Sequence, residues 1–594
     1  MVYDLKPIKA PRLTGNMMRL FAQLVEQAVT GQPLIRKMLR DLGVIEMLET
    51  PADEEFSQIH PLLDHQWIAA EQVQKERSQG PNETVPIDTA KNEQIEQNIS
   101  AKISHDTWAG CGQDLPQGFA WATAEHFVTA YRDGSITPEE VAERVIEWSK
   151  AGEQMKPQMR IFIAQDADDV LQQAKLSAQR YREGKSLGPL DGVPIAVKDE
   201  LDQKPYPTTV GTSFLGKQAV NSDAEVVARL RKTGAILIGK TNMHEMGMGV
   251  TGLNPHHGSA RNPYDPNRAT GGSSSGSAAA VAAGLCPIAI GADGGGSIRI
   301  PAALCGIFGL KPNFGRVSER GAAPLCWSVA HIGPMASSVR DLALAYAAIA
   351  GPDPKDRHSL QQPSFQFGAN NMLSADHDLS TLRIGIFRPW FEDAQPDIVH
   401  TCNQALTAFR DAGAKICDIE LPELKLLNTV HLVTIVSEMA AAHLHYYRDH
   451  YKQYSLETRI NLAIARSLRA RDYLHAQRLR QRLCNHFFSA LHTVDLIATP
   501  TTACTAPILA ADALKFGESN LSLTTQIMRF APAANLTGLP AISIPVGYDK
   551  DRLPIGLQLI ARPWQETALL HLADIMQALI PRLMPTIHRN MLLS

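Results

Sequence analysis

Three short segments concentrate the residues able to do chemistry. They are Asp191-Gly-Val-Pro-Ile-Ala-Val-Lys198-Asp199, Thr270-Gly-Gly-Ser273-Ser274-Ser275-Gly276-Ser277, and Gly291-Ala-Asp293-Gly294-Gly295-Gly296-Ser297-Ile-Arg299. Glycine lacks the Cβ that bars unusual dihedrals, so three in a row can turn their N–H groups toward one point. Ser297 follows directly, and an oxyanion formed on a carbonyl it attacked would be cradled by those donors. A plain tight turn or a phosphate-holding loop would use the same glycines, although the GxxxxGK[ST] pattern of a nucleotide site does not fit. The second segment has the composition of a flexible linker, yet it runs into an alanine-rich stretch and an apolar strand without polar padding. It also contains Gly272-Ser273-Ser274-Ser275-Gly276, a GxSxG match that would make Ser274 the serine of a hydrolase elbow. That elbow needs a strand entering the turn, and 263–270 reads as loop. The first segment ends an apolar run at Lys198. A lysine there is ordinarily a solvated strand end. Buried beside serines, its charged form would lose hydration and the amine would become a general base.

The elements that must position these segments alternate between strands and helices. Apolar runs at Pro194–Val197, Ala235–Gly239 and Pro287–Gly291 are strand-like, each ending in a polar or glycine-rich turn. Ser277–Ala283 reads as a helix of small residues suited to close packing. Leu382–Phe387, Leu496–Ala498 and Ala541–Val546 supply later strands, and 420–490 is a helix-rich lobe. The pattern is α/β, with a central mixed sheet flanked by helices. A clear helix start stands at Thr137-Pro138-Glu139-Glu140: an N-cap, a proline at the first helical position and a capping-box glutamate, with Ile136 and Val141 as a staple. Before it, residues 1–118 form an N-terminal helical extension with a polar linker at 76–105; residues 119–594 form the main domain. Within the extension a helix is predicted over Asn16–Thr30, with Met17, Leu20, Phe21, Leu24, Val25 and Ala28 on one face. A second short helix carries Ile35, Met38 and Leu39. The pair either packs on the main body or contacts a membrane surface, since Lys6, Lys9 and Arg12 precede it.

Bulk properties exclude several classes. The 594 residues carry 57 basic and 61 acidic side chains, so no global positive field exists to hold a nucleic acid. Cys111, Cys286, Cys305, Cys326, Cys402, Cys417, Cys484 and Cys504 form no CxxC pair, as expected of a reducing compartment. His256–His257 and His443–His445 are not in an HExxH, so no metal site is expected. The start of the chain lacks a signal-peptide core, and no stretch approaches the ~18 apolar residues of a membrane span. The expected location is cytoplasmic, with residues 1–45 as the candidate peripheral membrane contact.

Together the three segments resemble the amidase signature family, whose hallmark is a lysine on a strand, a GGSS turn and a nucleophile in DxGGSIR. The spacing between Ser273 and Ser297 agrees. The likeness continues through Gly239-Lys-Thr-Asn-Met243, Pro301-Ala-Ala-Leu-Cys305-Gly-Ile-Phe-Gly-Leu-Lys311-Pro, Asn535-Leu-Thr-Gly-Leu-Pro540 and Leu553-Pro-Ile-Gly-Leu-Gln558, covering roughly residues 120–585. One departure is Ala292-Asp293-Gly294, where threonines are commoner on both sides of the aspartate. Within the family the chain looks most like the plant-type fatty acid amide hydrolases, which share the opening Lys9-Ala-Pro-Arg-Leu-Thr-Gly15 and the stretch Asn242-Met-His-Glu-Met-Gly-Met-Gly249.

The resemblance implies an amidase fold, no cofactor, a homodimer and a Ser–Ser–Lys triad. Ser297 is the implied nucleophile, Ser273 the proton relay (at a cis peptide bond) and Lys198 the neutral base. N–H groups of Gly294, Gly295, Gly296 and Ser297 would hold the oxyanion. Ser274 would support by hydrogen bonding, and Arg299 would pair with Asp293 to hold the loop. The implied substrate is a small-molecule lipid amide of the N-acylethanolamine type. A small-amide amidase, or the A-type subunit of an amidotransferase that acts on glutamine, is the alternative. An enzyme for lipid amides would use residues 1–45 to line the mouth of the acyl channel or to touch the bilayer.

Overall fold

Segments that are apolar at every position, such as Pro194–Val197, are satisfied only in strands covered on both faces. In the computed structural model, which describes residues 3–5, 8, 10–27, 31–52, 119–364, 379–580 and 582–593, they are so covered. The strands are β1 (Leu13–Thr14), β2 (Phe162–Ala164), β3 (Pro194–Lys198), β4 (Ile236–Thr241), β5 (Ile288–Ala292), β6 (Phe308–Lys311), β7 (Ile332–Ala336), β8 (Arg383–Ile386), β9 (Lys415–Asp418), β10 (Leu496–Pro500), β11 (Glu518–Ser519), β12 (Ala541–Tyr548) and β13 (Pro554–Ala561). Among the described residues, 11 strands join one sheet in the order β2-β4-β3-β5-β7-β6-β12-β13-β10-β8-β9. It is mixed as expected: β3 is parallel to β4 and β5, β8 to β9 and β10, and the other pairs are antiparallel. Every residue of β3, β4, β5, β7 and β13 is buried.

Helices cover both faces. Pro138–Gln154 begins as its sequence dictates, with Thr137 Oγ1 accepting from the Glu140 N–H and the Glu140 carboxylate accepting from the Thr137 N–H. Helices Leu424–Ala442, Leu444–His450, Leu456–Ser467 and Ala470–Thr493 make the expected lobe beside the sheet.

The N-terminal segment departs from expectation in one respect. Its helices are α1 (Gly15–Glu26), α2 (Gly31–Asp41) and α3 (Val44–Glu49), and β1 pairs with β11. The buried residues of α1 are Met18, Ala22 and Val25, and Met18 and Ala22 pack with Ile460 and Ile464 of Leu456–Ser467. Met17 and Leu20, expected on the apolar face, are 61% and 57% exposed. Apolar residues at 18, 22 and 25 also fall on one helical stripe, and the docking partner selects that stripe over the other. The predicted end of this helix at 28–30 and the polar linker at 76–105 lie outside the described residues, as does Cys111.

Candidate active site

Parallel pairing brings the chemistry together. The register Ile195↔Ile288 and Val197↔Ile290 sends the C-terminal ends of β3 and β5 out at one edge of the sheet, the usual place for a site in an open α/β sheet. Lys198 ends β3 and Ala292 ends β5, so Lys198 Nζ donates to Ala292 O at 3.1 Å. Across from both lies the helix Ser275–Ala282, buried throughout its small side chains. At Gly276 an added Cβ would fall 2.2 Å from Ile161 O, so the helix can come this close only with glycine there. The approach sets Ser273, just before the helix, with its Oγ 2.9 Å from Lys198 Nζ. The Gly272–Ser273 peptide is cis. Lys198 is 1% exposed, and its third contact, which no motif announces, is Glu200 Oε2 at 2.7 Å.

The loop after β5 is held by a buried ion pair. Arg299 Nε and Nη2 each lie 3.0 Å from the Asp293 carboxylate, and both residues are fully buried. Burial alone would raise the Asp293 carboxyl. The Arg299 guanidinium and hydrogen bonds from Asn535 and the Ile298 N–H hold it well below the usual carboxylate range. Arg299 also donates to Ala531 O, Gln558 Oε1 and Asn535 Oδ1, and Asn535 Nδ2 donates to Asp293 O at 2.8 Å. The Arg299–Asp293 pair is as expected, whereas the roles of Asn535 and Gln558 emerge only from the fold.

Gly296 takes φ +117°, where an added Cβ would meet Ala531 Cβ at 2.6 Å. Its N–H donates to Asp293 Oδ1 at 2.6 Å and so is already engaged. Among the described residues the N–H groups of Gly294, Gly295 and Ser297 make no such bond. Of the four N–H groups expected to face an oxyanion, three are therefore free of such a bond. His431, from the helix Leu424–Ala442, donates from Nε2 to Gly294 O at 2.8 Å. Burial pushes its imidazolium down to about 4, so the ring is neutral near pH 7. No sequence signal marks it.

Ser274 is fully buried, its Oγ donating to Ala292 O at 3.2 Å and its N–H to Ser297 O at 3.3 Å. No strand enters the turn before it, so the hydrolase-elbow reading of Ser274 is set aside. Ser297 is 6% exposed; among the described residues its Oγ has no hydrogen-bond partner, and none joins it to Ser273.

Lys198, Ser273, Gly294, Gly295 and Ser297 line a cavity of about 600 Å³, within the range of small-molecule sites. Apolar residues such as Met248, Ile435, Met439 and Met528 make much of its wall. The N-terminal segment contributes Leu5, Ile8, Met38 and Leu42, while the predicted stripe of α1 does not reach it. Among the described residues no group of three or more His, Cys, Asp or Glu could hold a metal ion, and no helix is long and apolar enough to cross a membrane.

The amidase family model matches residues 144–570. A fatty acid amide hydrolase of Arabidopsis thaliana is 39% identical over 586 residues, covering 98% of this chain and 94% of the relative. The A-type subunit of a glutamyl-tRNA(Gln) amidotransferase of Chloroflexus aggregans is 35% identical over 473 residues, covering 76% of this chain and 94% of that one. Among solved structures, the native peptide amidase of Stenotrophomonas maltophilia superposes with a TM-score of 0.69 at 28% identity, covering 79% of this chain and 99% of that one.

Proposed function

The chain belongs to the amidase family and is an amidohydrolase, and on that premise we propose that it hydrolyses fatty acid amides of the N-acylethanolamine type to fatty acid and amine. The observation that carries this reading is the shared wall of the cavity: one largely apolar space touches both Ser297 and the N-terminal residues Leu5, Ile8, Met38 and Leu42. A long acyl chain needs such a space, and an amide of a few atoms does not. The likeness to the plant hydrolase extends over that N-terminal segment, whereas the likeness to the amidotransferase covers 76% of the chain. The exposed Met17 and Leu20 give residues 1–45 an apolar surface for a membrane contact.

The Lys198–Ser273 contact at 2.9 Å supports a relay mechanism in which Ser297 is the nucleophile. Lys198 acts as the base and takes a proton from Ser273, and Ser273 takes one from Ser297, whose oxygen attacks the amide carbonyl. The free N–H groups of Gly294, Gly295 and Ser297 stabilise the tetrahedral oxyanion. Ser273 returns the proton to the leaving amine, and water then hydrolyses the acyl-enzyme. Labelling with a fluorophosphonate, followed by acyl amides of graded chain length, tests both halves. Ser297→Ala should abolish labelling, and wild-type kcat/KM should climb with chain length. Full labelling of Ser297→Ala would remove the nucleophile assignment. Best turnover of glutamine or short amides would favour the small-amide or amidotransferase reading.

A further inference from the structure

The hydrogen-bond chemistry around Lys198 Nζ is asymmetric. Ala292 O at 3.1 Å and Glu200 Oε2 at 2.7 Å act as acceptors, while Ser273 Oγ at 2.9 Å can donate or accept. A neutral amine has two N–H donors and one lone pair. With two acceptor-only neighbours, both donors are directed at Ala292 O and Glu200. The lone pair is then left facing Ser273 Oγ, the oxygen whose proton has to be removed. Once that proton is taken, the ammonium has three N–H groups for three partners, and no heavy atom has to move.

Glu200 is placed for this and for little else. It is 5% exposed, lies on the wall of the catalytic cavity, and has its backbone fixed by the Ala323 N–H donating to its carbonyl at 2.9 Å. Among the described residues Lys198 is its one ion-pair partner. The neighbouring Asp199 turns the other way, to Lys240. The other ionisable groups packed around the pair are Cys326, Glu319 and Glu438, with Glu457 on the same cavity wall. Burial raises the Cys326 thiol, with Glu438 and Glu200 adding to it; burial also raises the Glu319 carboxyl, with Asp356 and Glu200 adding. Glu438 is occupied by Ser328 and Tyr473. Glu200 is thus the carboxylate in contact with the base.

We propose that Glu200 is a positioning residue for the hydrolysis: it aims the Lys198 lone pair at Ser273 and offsets the charge that Lys198 gains when it takes the proton. The proposal rests on the reading of Lys198 as base. Its two effects separate in a pH profile. One effect depends on the charge of Glu200 and the other only on its acceptor oxygen. Glu200→Gln keeps an acceptor of the same shape and removes the charge. Its rate-against-pH profile should move to lower pH, with a lower plateau. Glu200→Ala also frees the lone pair, and its plateau should fall well below that of Glu200→Gln. Glu200→Asp keeps the charge but draws it back, and should lower the plateau with a smaller movement of the profile.

The measurement is kcat and fluorophosphonate labelling rate of the full-length protein between pH 6 and 10, on variants with wild-type melting behaviour. An unmoved profile in Glu200→Gln, or equal plateaus for Glu200→Gln and Glu200→Ala, overturns the proposal. Labelling that survives Ser297→Ala, or activity that survives Lys198→Ala, instead overturns the reading of the site on which it rests.

Discussion

Replacing Arg299 by methionine removes one half of a fully buried ion pair and leaves the other in place. The guanidinium contacts both Asp293 oxygens, Ala531 O, Gln558 Oε1 and Asn535 Oδ1. Breaking such a pair from one side costs about 3–5 kcal/mol, because a charge stays behind without a partner. Whole-protein stabilities of about 5–15 kcal/mol make that a large fraction. Hydrogen bonds from the Gly296 and Ile298 N–H groups and from Asn535 Nδ2 remain on Asp293 and place the loss at the lower end of that range. The sign of the pH dependence gives a second readout. In the wild type the Asp293 carboxyl is held low, so its contribution is present above the ordinary carboxylate range and is lost only as pH falls below it. Without Arg299, burial dominates and raises the carboxyl, so stability is greater at low pH and is lost as pH rises. Urea denaturation at pH 5 and pH 8 reads both effects. Arg299→Met should be weaker than wild type at pH 8 and recover part of the difference at pH 5, and adding Asp293→Asn should restore stability at pH 8. Fluorophosphonate labelling at pH 8 should fall too, since the loop carrying Ser297 loses its anchor. An unfolding free energy within about 1 kcal/mol of wild type at pH 8, or a double variant weaker than Arg299→Met alone, would refute the reasoning.

Three further outcomes follow from other parts of the molecule. Met18→Ala, which opens a cavity against Ile460 and Ile464, should cost about 2–5 kcal/mol by thermal or urea melting, whereas Met17→Ala on the exposed side should stay within about 0.5 kcal/mol. Met38→Trp narrows the cavity far from Ser297 in sequence, and should raise KM for long acyl amides more than for short ones; equal effects on both would detach the N-terminal wall from acyl binding. Burial pushes the Asp341 carboxyl up from 3.8 to about 7 despite the Ala124 N–H donating to it. Its contribution is therefore complete below the unfolded value and lost as pH rises through about 7, and Asp341→Asn should flatten that slope by up to about 4 kcal/mol between pH 4 and 9.

How far the fold could be read depended on whether a strand advertised itself locally. β3, β4, β5, β8, β10 and β12 are apolar runs bounded by turn residues, and each lies within two residues of its expected limits. Of the large sheet, β2, β6, β7, β9 and β13 are not among the expected strands, and three of them show why. Phe308–Lys311 has four residues, Ile332–Ala336 holds a glycine and a proline, and Pro554–Ala561 opens on proline with a glycine two residues later. Such residues argue against a strand when only the neighbours along the chain are considered. Their ladders come from elsewhere: β7 is gripped between β5 and β6, and β13 between β12 and β10. The face of α1 is the same lesson at the level of a side chain. Two apolar stripes fit its periodicity, and Ile460 and Ile464, remote in sequence, decide between them.

The site was more legible because each of its members carries its own local context: a lysine closing a buried strand, serines opening a helix of small residues, a serine behind glycines. What escaped were further partners of these groups. His431 reaches Gly294 from a helix with no feature to mark it. Two other omissions did leave a trace. Glu200 follows Lys198 by two positions at a strand end, where alternation favours the same side, and a carboxylate there is a natural neighbour for the amine. Asp293 precedes Gly296 by three, the spacing at which an aspartate side chain caps a nearby backbone N–H. A chain that places an aspartate at the head of a glycine run has already engaged one of the donors that the glycines expose. Counting candidate oxyanion donors from such a sequence should begin by subtracting that one, and here the N–H groups left unengaged are those of Gly294, Gly295 and Ser297.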